Sequence, residues 1–301
     1  MNMTTLDFLV QRAASRMQEP ALKNVIEKEI IHHDILRILS EGGFLNRLTF
    51  VGGTCLRLVY GSSRYSEDLD FTVGPQSLKD SDLLPLSEAL SAGLSSKYGV
   101  AVSVIDPRRG KVGNVDTWTV KIVTAPGEKG MPEQKINIDV ALTSSQTRLA
   151  HPLMNHYSID LGTDGVIINC QSEEEILADK LVAFVGRDKI KPRDLWDTGM
   201  LKQRCDLTKA WSHVGVKLEE RGISQDTYFR EYENRLRNRE TEAGQKEGFE
   251  REMTRFLPLK VYQRTVLQNE FWQSIVNTQA MLLVKGKHLV LKTGRDDGWE
   301  F

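Results

Sequence analysis

Apolar residues recur along this chain with two different periods, and the change of period divides it. Over residues 21–40, Leu22, Val25, Ile26, Ile30, Ile35, Leu36 and Leu39 fall at helical spacing, and Gly42-Gly43 stops the pattern. Residues 5–17 and 81–97 read as helices in the same way, the latter carrying Leu83, Leu84, Leu86, Leu90 and Leu94. Elsewhere in the first half the period shortens to two. Strands are predicted over 47–51, 68–73, 100–105, 116–124 and 135–142, and a short helix over Leu56 to Tyr60, ended by Gly61. Gly74-Pro75, Pro107 to Gly113 and Pro126 to Pro132 punctuate the strands. From Ser172 onward helical spacing dominates, and the charge-dense run Arg230 to Arg255 predicts a solvated helix or helix pair. The pattern therefore predicts a mixed α/β domain with N-terminal helices over residues 1–170 and a mainly helical domain over 171–301.

Composition narrows this only slightly. A chain of 301 residues with 40% hydrophobic and 27% charged residues is an ordinary globular protein with one large or two medium domains. The net charge of -1 leaves any nucleic-acid surface to local clustering. Cys55, Cys170 and Cys205 stand far apart in sequence without a CxxC pair, which fits a reduced, cytoplasmic protein and no zinc site. His32-His33, neighbours on a predicted helix, are expected at a surface or interface. No segment approaches the ~20 apolar residues of a membrane span, so no membrane partner is expected.

The candidate chemistry lies in the first half. Gly52-Gly53-Thr54 follows the apolar run Leu48, Phe50, Val51, and the strand Asp68-Leu69-Asp70-Phe71 alternates acid with apolar residue. On an extended chain both carboxylates share one face. Adjacent carboxylates repel unless a cation lies between them, and all-oxygen ligation suits Mg²⁺ with substrate phosphates completing its shell. A glycine pair lets main-chain N–H groups approach a phosphate closely. In Lys135-Ile136-Asn137-Ile138-Asp139-Val140 the alternation returns. If that strand lies beside 68–73, Asp139 joins Asp68 and Asp70 as a third metal ligand or as the base for an attacking hydroxyl, a trio suited to two-metal nucleotidyl transfer. Otherwise Asp139 simply closes a strand beside polar loops.

Gly52-Gly53-Thr54, Arg64, Ser66, Asp68, Asp70, Lys180 and the run Lys191-x-Arg193-Asp194-x-x-Asp197, in that order, resemble the polymerase-β-type nucleotidyltransferase superfamily. Within it they are most similar to the AbiEii/AbiGii-type toxin group, which includes the mycobacterial MenT-like toxins. Gly53-Thr54 in place of a serine, and the longer interval to Asp68, separate the chain from the wider superfamily but not from that group. The resemblance covers roughly residues 45–200. It implies a nucleotidyltransferase mixed sheet, with the helical domain closing a cleft over the nucleotide. It further implies an NTP substrate, one or two Mg²⁺ ions on Asp68, Asp70 and Asp139, and phosphate contacts from Gly52, Gly53, Thr54, Lys180, Lys191 and Arg193. The acceptor it implies is the 3′ end of tRNA, in a toxin–antitoxin or abortive-infection pair with a cognate antitoxin. In some members a serine at the position of Ser66 is modified by the antitoxin, and a phosphate there would place up to about two negative charges beside the metal site. A small aminoglycoside-like molecule or a protein as acceptor, and a non-catalytic NTP-binding regulator, remain as alternatives.

The downstream motifs also have physical readings of their own. Ser172 and Glu175 form the pattern of a capping box for the next helix. Lys180 lies near the buried stripe of that helix and needs an anionic partner, for which a triphosphate would serve, or it snorkels into water. Asp194 and Asp197 would orient Lys191 and Arg193 and tie the helix to its neighbours, Asp197 being the more structural; Trp196 belongs in the core. Arg64 either holds the loop or touches a phosphate. Between Arg251 and Arg295, eight Lys/Arg face two acids, a balance that would suit an RNA backbone, with Tyr262 and Trp272 as stacking surfaces. Phe256, Leu257, Val261, Leu267, Phe271 and Ile275 read as packing residues.

Overall fold

The computed structural model describes residues 4–73, 83, 85–107, 114–123, 133–241 and 244–293, without the side chains of 239–241 and 291–293. Leu84, Gly74-Pro75, most of the 107–113 turn and the 126–132 turn lie outside them. The chain forms two compact units that meet in sequence between Gln171 and Ser172.

The first unit contains α1 (Thr5–Met17), α2 (Lys23–Glu41), β1 (Leu48–Val51), α3 (Gly52–Leu58), β2 (Leu69–Val73), α4 (Leu86–Tyr98), β3 (Val102–Ile105), β4 (Val115–Ile122), β5 (Gln134–Ser144), β6 (Leu149–Pro152) and β7 (Ile167–Cys170). The strands make one mixed sheet in the order β3-β4-β5-β2-β1-β7-β6. β2–β5 and β1–β7 are parallel, and the other pairs are antiparallel. The mixed α/β fold agrees with the sequence pattern, and two strands are added to it. β6 (Leu-Ala-His-Pro) and β7 (Ile-Ile-Asn-Cys) carry no apolar–polar alternation, and β6 is an edge that Pro152 can occupy without losing a ladder bond.

The helix expected from Leu56 begins instead at Gly52, directly on the end of β1. Two glycines argue against a helix start on propensity alone. Here Gly52 takes φ 78°, a left-handed turn open to glycine, and no linker is needed between strand and helix.

α2 corrects the placement of the histidine pair. His32 and His33 are fully buried, together with Glu27, Glu29 and Asp34 on the same helix. Adjacent histidines on one helix suggest a surface or interface pair, but α2 is covered on nearly every side. His33 Nδ1 lies 2.8 Å from Thr163 Oγ1, and His32 Nε2 donates to the Glu67 carbonyl at 3.0 Å. Burial disfavours the imidazolium and brings each ring down to about 4. Each is then neutral in the fold, whereas in the unfolded chain it gains a proton below about 6.5. As pH falls from 6.5 toward 4, the unfolded state takes up two protons that the native state does not. Stability is expected to drop most steeply near pH 5, by about 2.4 kcal/mol per pH unit, and to level off as pH approaches 4, where the native rings also begin to take up protons. Urea unfolding at pH 7.5, 6.0 and 5.0 checks this, and a flat profile would refute the neutral buried pair.

The second unit holds α5 (Glu173–Gly186), α6 (Pro192–Leu201), α7 (Leu207–Glu219), α8 (Gln225–Thr241), α9 (Gln245–Phe256), α10 (Leu259–Arg264) and α11 (Phe271–Thr293). Its core is aromatic: Phe184 meets Tyr232 at 4.6 Å between ring centroids, and Trp211 meets Phe229 at 5.8 Å. The charge-dense run is a helix pair, α8 and α9, and α9 buries Phe249, Met253 and Phe256 at helical spacing. Ser172 caps α5 by accepting the Glu175 N–H. Glu175, expected to reach back, places its carboxylate 3.0 Å from Lys217 Nζ in the core. Trp196, Phe256, Leu257 and Ile275 are buried as expected, whereas Leu267 stands 56% exposed in the segment between α10 and α11. Among the described residues no helix is long and apolar enough to cross a membrane.

Candidate active site

Strand register builds the first part of the site. β2 and β5 run parallel with Leu69 opposite Ile138, Asp70 opposite Asp139 and Phe71 opposite Val140. The apolar partners are all buried, and the two aspartates share the other, half-buried face. Neighbouring strands are about 4.8 Å apart, so these carboxylates stand side by side. Asp68 directly precedes β2, and its Oδ1 accepts from the Asn137 amide at 3.2 Å and from the Asn137 main-chain N–H at 3.4 Å. Thr117, opposite Asp139 on β4, donates its hydroxyl to Asp139 Oδ1 at 2.6 Å. Thr117 carried no signal of its own in the sequence. Asn137 did, through its shared parity with Asp139.

The glycine pair lies against these groups. Val51 is the antiparallel partner of Asp70, so Gly52 follows next to that carboxylate. A Cβ on Gly52 would fall 2.5 Å from Asp70 Oδ2, and one on Gly53 would fall 2.6 Å from Arg64 Nη2 and 2.9 Å from Ser66 Oγ. Replacing Gly52 by alanine therefore combines a strained φ with a clash on Asp70. We expect a stability loss of at least about 1–2 kcal/mol and a larger loss of turnover; a variant matching wild type in both would show that this approach is unimportant.

Three neighbours of the glycines are buried. Thr54, expected at phosphates, donates its hydroxyl to the Asp68 carbonyl. Arg64 donates to the Tyr65 carbonyl at 2.7 Å, which serves the loop-holding role. Ser66, the expected control point, lies with its hydroxyl over Gly53.

In the second unit Lys180 has its anionic partner within the fold. Its Nζ lies 2.6 Å from Asp194 Oδ1 and 3.0 Å from Asp197 Oδ2, and Arg187 also bonds Asp194. Asp194 and Asp197 share the face of α6 turned to α5. They converge on Lys180 and not, as expected, on Lys191 and Arg193. Arg193 pairs with Glu252 at 3.0 Å and covers the Phe256 ring. Lys191 is exposed at the start of α6.

The description "Nucleotidyl transferase AbiEii toxin, Type IV TA system" matches residues 34–269, most of the chain. The chain belongs to the AbiEii nucleotidyltransferase toxin family. Among solved structures it is similar to MenT4, a nucleotidyltransferase toxin from Mycobacterium tuberculosis H37Rv, with a TM-score of 0.59 at 17% identity over 91% of this chain and 98% of that one. At that identity the likeness shows a shared fold. JHP933 from Helicobacter pylori aligns with a TM-score of 0.44 at 16% identity, over 90% of this chain and 95% of that one. No curated protein matches the sequence. AbiEii membership implies an NTP substrate and an antitoxin partner.

Nucleotidyltransferases of this kind typically use a divalent metal, and the donor set is of the right type: carboxylate oxygens on one sheet face, with Asp70 and Asp139 as neighbours. Among the described residues no three His, Cys, Asp or Glu side chains are gathered so as to hold an ion. In this chain Asp70 and Asp139 thus form a same-face carboxylate pair, with Asp68 just ahead of β2.

Proposed function

We propose that this AbiEii-family chain transfers a nucleoside monophosphate from an NTP to the 3′ hydroxyl of tRNA, releasing pyrophosphate and stopping translation, as the toxin of a toxin–antitoxin or abortive-infection pair. The pairing of Asp70 with Asp139, with Asp68 just ahead of β2, carries this reading. Asp68, Asp70 and Asp139 would hold Mg²⁺, singly or as two ions. The metal would supply charge neutralisation for the triphosphate and alignment for in-line attack.

The chain's own groups have separate tasks. Thr117 fixes one Asp139 oxygen, which orients the other to accept the proton of the attacking hydroxyl. Gly52 and Gly53 keep space next to the carboxylates that any side chain would fill, which favours close approach of phosphate. Exposed Lys191 is the readiest cation of its motif to meet a phosphate. Lys180 and Arg193 would have to exchange carboxylate partners to do so. Arg251, Arg255, Lys260, Arg264 and Lys285 are exposed on the helical unit and would suit an RNA backbone, whereas Lys287 is paired with Glu233.

The test is incubation of the purified chain with each α-labelled NTP, Mg²⁺ and total RNA. Label in the tRNA band is the expected result. Label on protein, label on an added aminoglycoside in place of RNA, or no transfer with any NTP would contradict the proposal.

A further inference from the structure

Asp68 is held from three directions. Its Oδ1 accepts from Asn137 on β5. Its carbonyl accepts from Thr54 on α3. The peptide unit before it, whose carbonyl belongs to Glu67, accepts from His32 Nε2 on α2 at 3.0 Å. That last unit is planar, so its direction sets the final torsion of Glu67 and the first torsion of Asp68. One turn ahead of His32 on the same face of α2, Lys28 places Nζ 3.0 Å from Glu67 Oε1. The residue between Ser66 and Asp68 is thus gripped by main chain and side chain from a single helix face.

We infer that His32 is a positioning residue for nucleotidyl transfer, setting the direction of Asp68 through the Glu67 carbonyl. The inference rests on reading Asp68 as a metal-facing carboxylate. A carbonyl only accepts, so the neutral ring carries its proton on Nε2. Its Nδ1 is buried and faces no hydrogen-bond partner among the described residues. An apolar ring would fill the same space without desolvating two nitrogens, which offsets much of the cost of leaving the part-buried Glu67 carbonyl without its donor. What histidine adds is one donor, directed at the peptide bond that aims Asp68. A displacement of about 1 Å in a reacting group costs about 10²-fold in rate, so loss of one of three restraints should show as a rate defect.

The test compares His32→Phe, His32→Gln and Asp68→Asn with wild type as full chains. Pyrophosphate release from NTP in the presence of total RNA gives kcat and KM, and thermal melting gives stability. His32→Phe is expected to melt within a few degrees of wild type, to keep KM for NTP within about 3-fold, and to lose about 10-fold or more in kcat. His32→Gln, whose amide can donate to the same carbonyl, is expected to recover most of that loss. Unchanged kcat in His32→Phe, or parallel loss of kcat and stability that His32→Gln does not relieve, would overturn the proposal. If His32→Phe fails to fold, Lys28→Met on the half-exposed side of the grip is expected to lower kcat about 3-fold, and no change there would overturn it. Asp68→Asn separates the two readings. Full activity in Asp68→Asn refutes the carboxylate reading and this inference with it, whereas loss in Asp68→Asn beside wild-type turnover in His32→Phe refutes the role of His32 alone.

Discussion

Asp70→Asn is expected to lower nucleotidyl transfer by at least about 10²–10³-fold while leaving the melting temperature within a few degrees. Asp70 stands on the solvent-accessible face of β2 beside Asp139, and the core contacts of that strand come from Leu69 and Phe71 on the other face. The amide keeps the shape of the carboxylate and removes its charge, so folding should survive. It also removes the repulsion between neighbouring carboxylates, and a small gain in stability without metal is consistent with the account. Pyrophosphate release and a melting curve on the same preparation measure both quantities. Turnover within about 10-fold of wild type would mean that Asp70 does not face the reaction.

The largest stability effect is expected at Arg57. Its Nε lies 2.9 Å from Glu29 Oε2, and its Nη1 donates to the Ser62 carbonyl at 2.9 Å, with both side chains almost wholly buried. Burial pushes the Glu29 carboxyl up, but the Arg57 charge and hydrogen bonds together outweigh it and hold Glu29 below the usual carboxylate range. The contribution of that carboxylate is therefore present above the unfolded value of about 4.5 and is lost as pH falls through the lowered folded value. Arg57→Leu leaves the carboxylate buried without its counter-charge and frees the Ser62 end of the loop that carries Arg64 and Ser66. A loss of about 3–5 kcal/mol follows, roughly 10 °C in melting temperature for a chain of this size. The double replacement Glu29→Leu with Arg57→Leu should recover most of it, because the unpaired charge is then gone. A single variant melting within about 2 °C of wild type would show that the pair contributes little.

Much of the architecture was legible because the periods differ so clearly. The stretch over 21–40 could only be a helix, and the alternation at 68–73 and 135–142 could only be strands. Parity also placed Asp70 and Asp139 each on the polar side of its strand. That they are neighbours could not be read, since strand order depends on how the whole sheet closes. The diglycine was read as a phosphate turn before a helix. The structure makes it the first turn of the helix itself, a consequence of the φ of Gly52 that propensity alone argues against.

The polar residues of α2 were the hardest to interpret. Lys28, Glu29, His32 and His33 form two pairs four residues apart, a spacing that usually marks a solvated face. Here each finds a partner in Glu67, Arg57 or Thr163, from parts of the chain distant in sequence, with one nitrogen of each histidine ring bonded. Lys180 illustrates the same limit. Its need for an anion was evident, but its choice of Asp194 and Asp197 depends on how α6 turns against α5.

The most direct test of the central claim is a crystal of the chain grown with Mn²⁺ and a non-hydrolysable NTP analogue, read by anomalous diffraction. The account predicts a manganese peak within bonding distance of Asp70 and of at least one of Asp68 and Asp139, with the analogue's phosphates on the same ion. Manganese bound at other residues, or the analogue bound with no ion near Asp70, would contradict it.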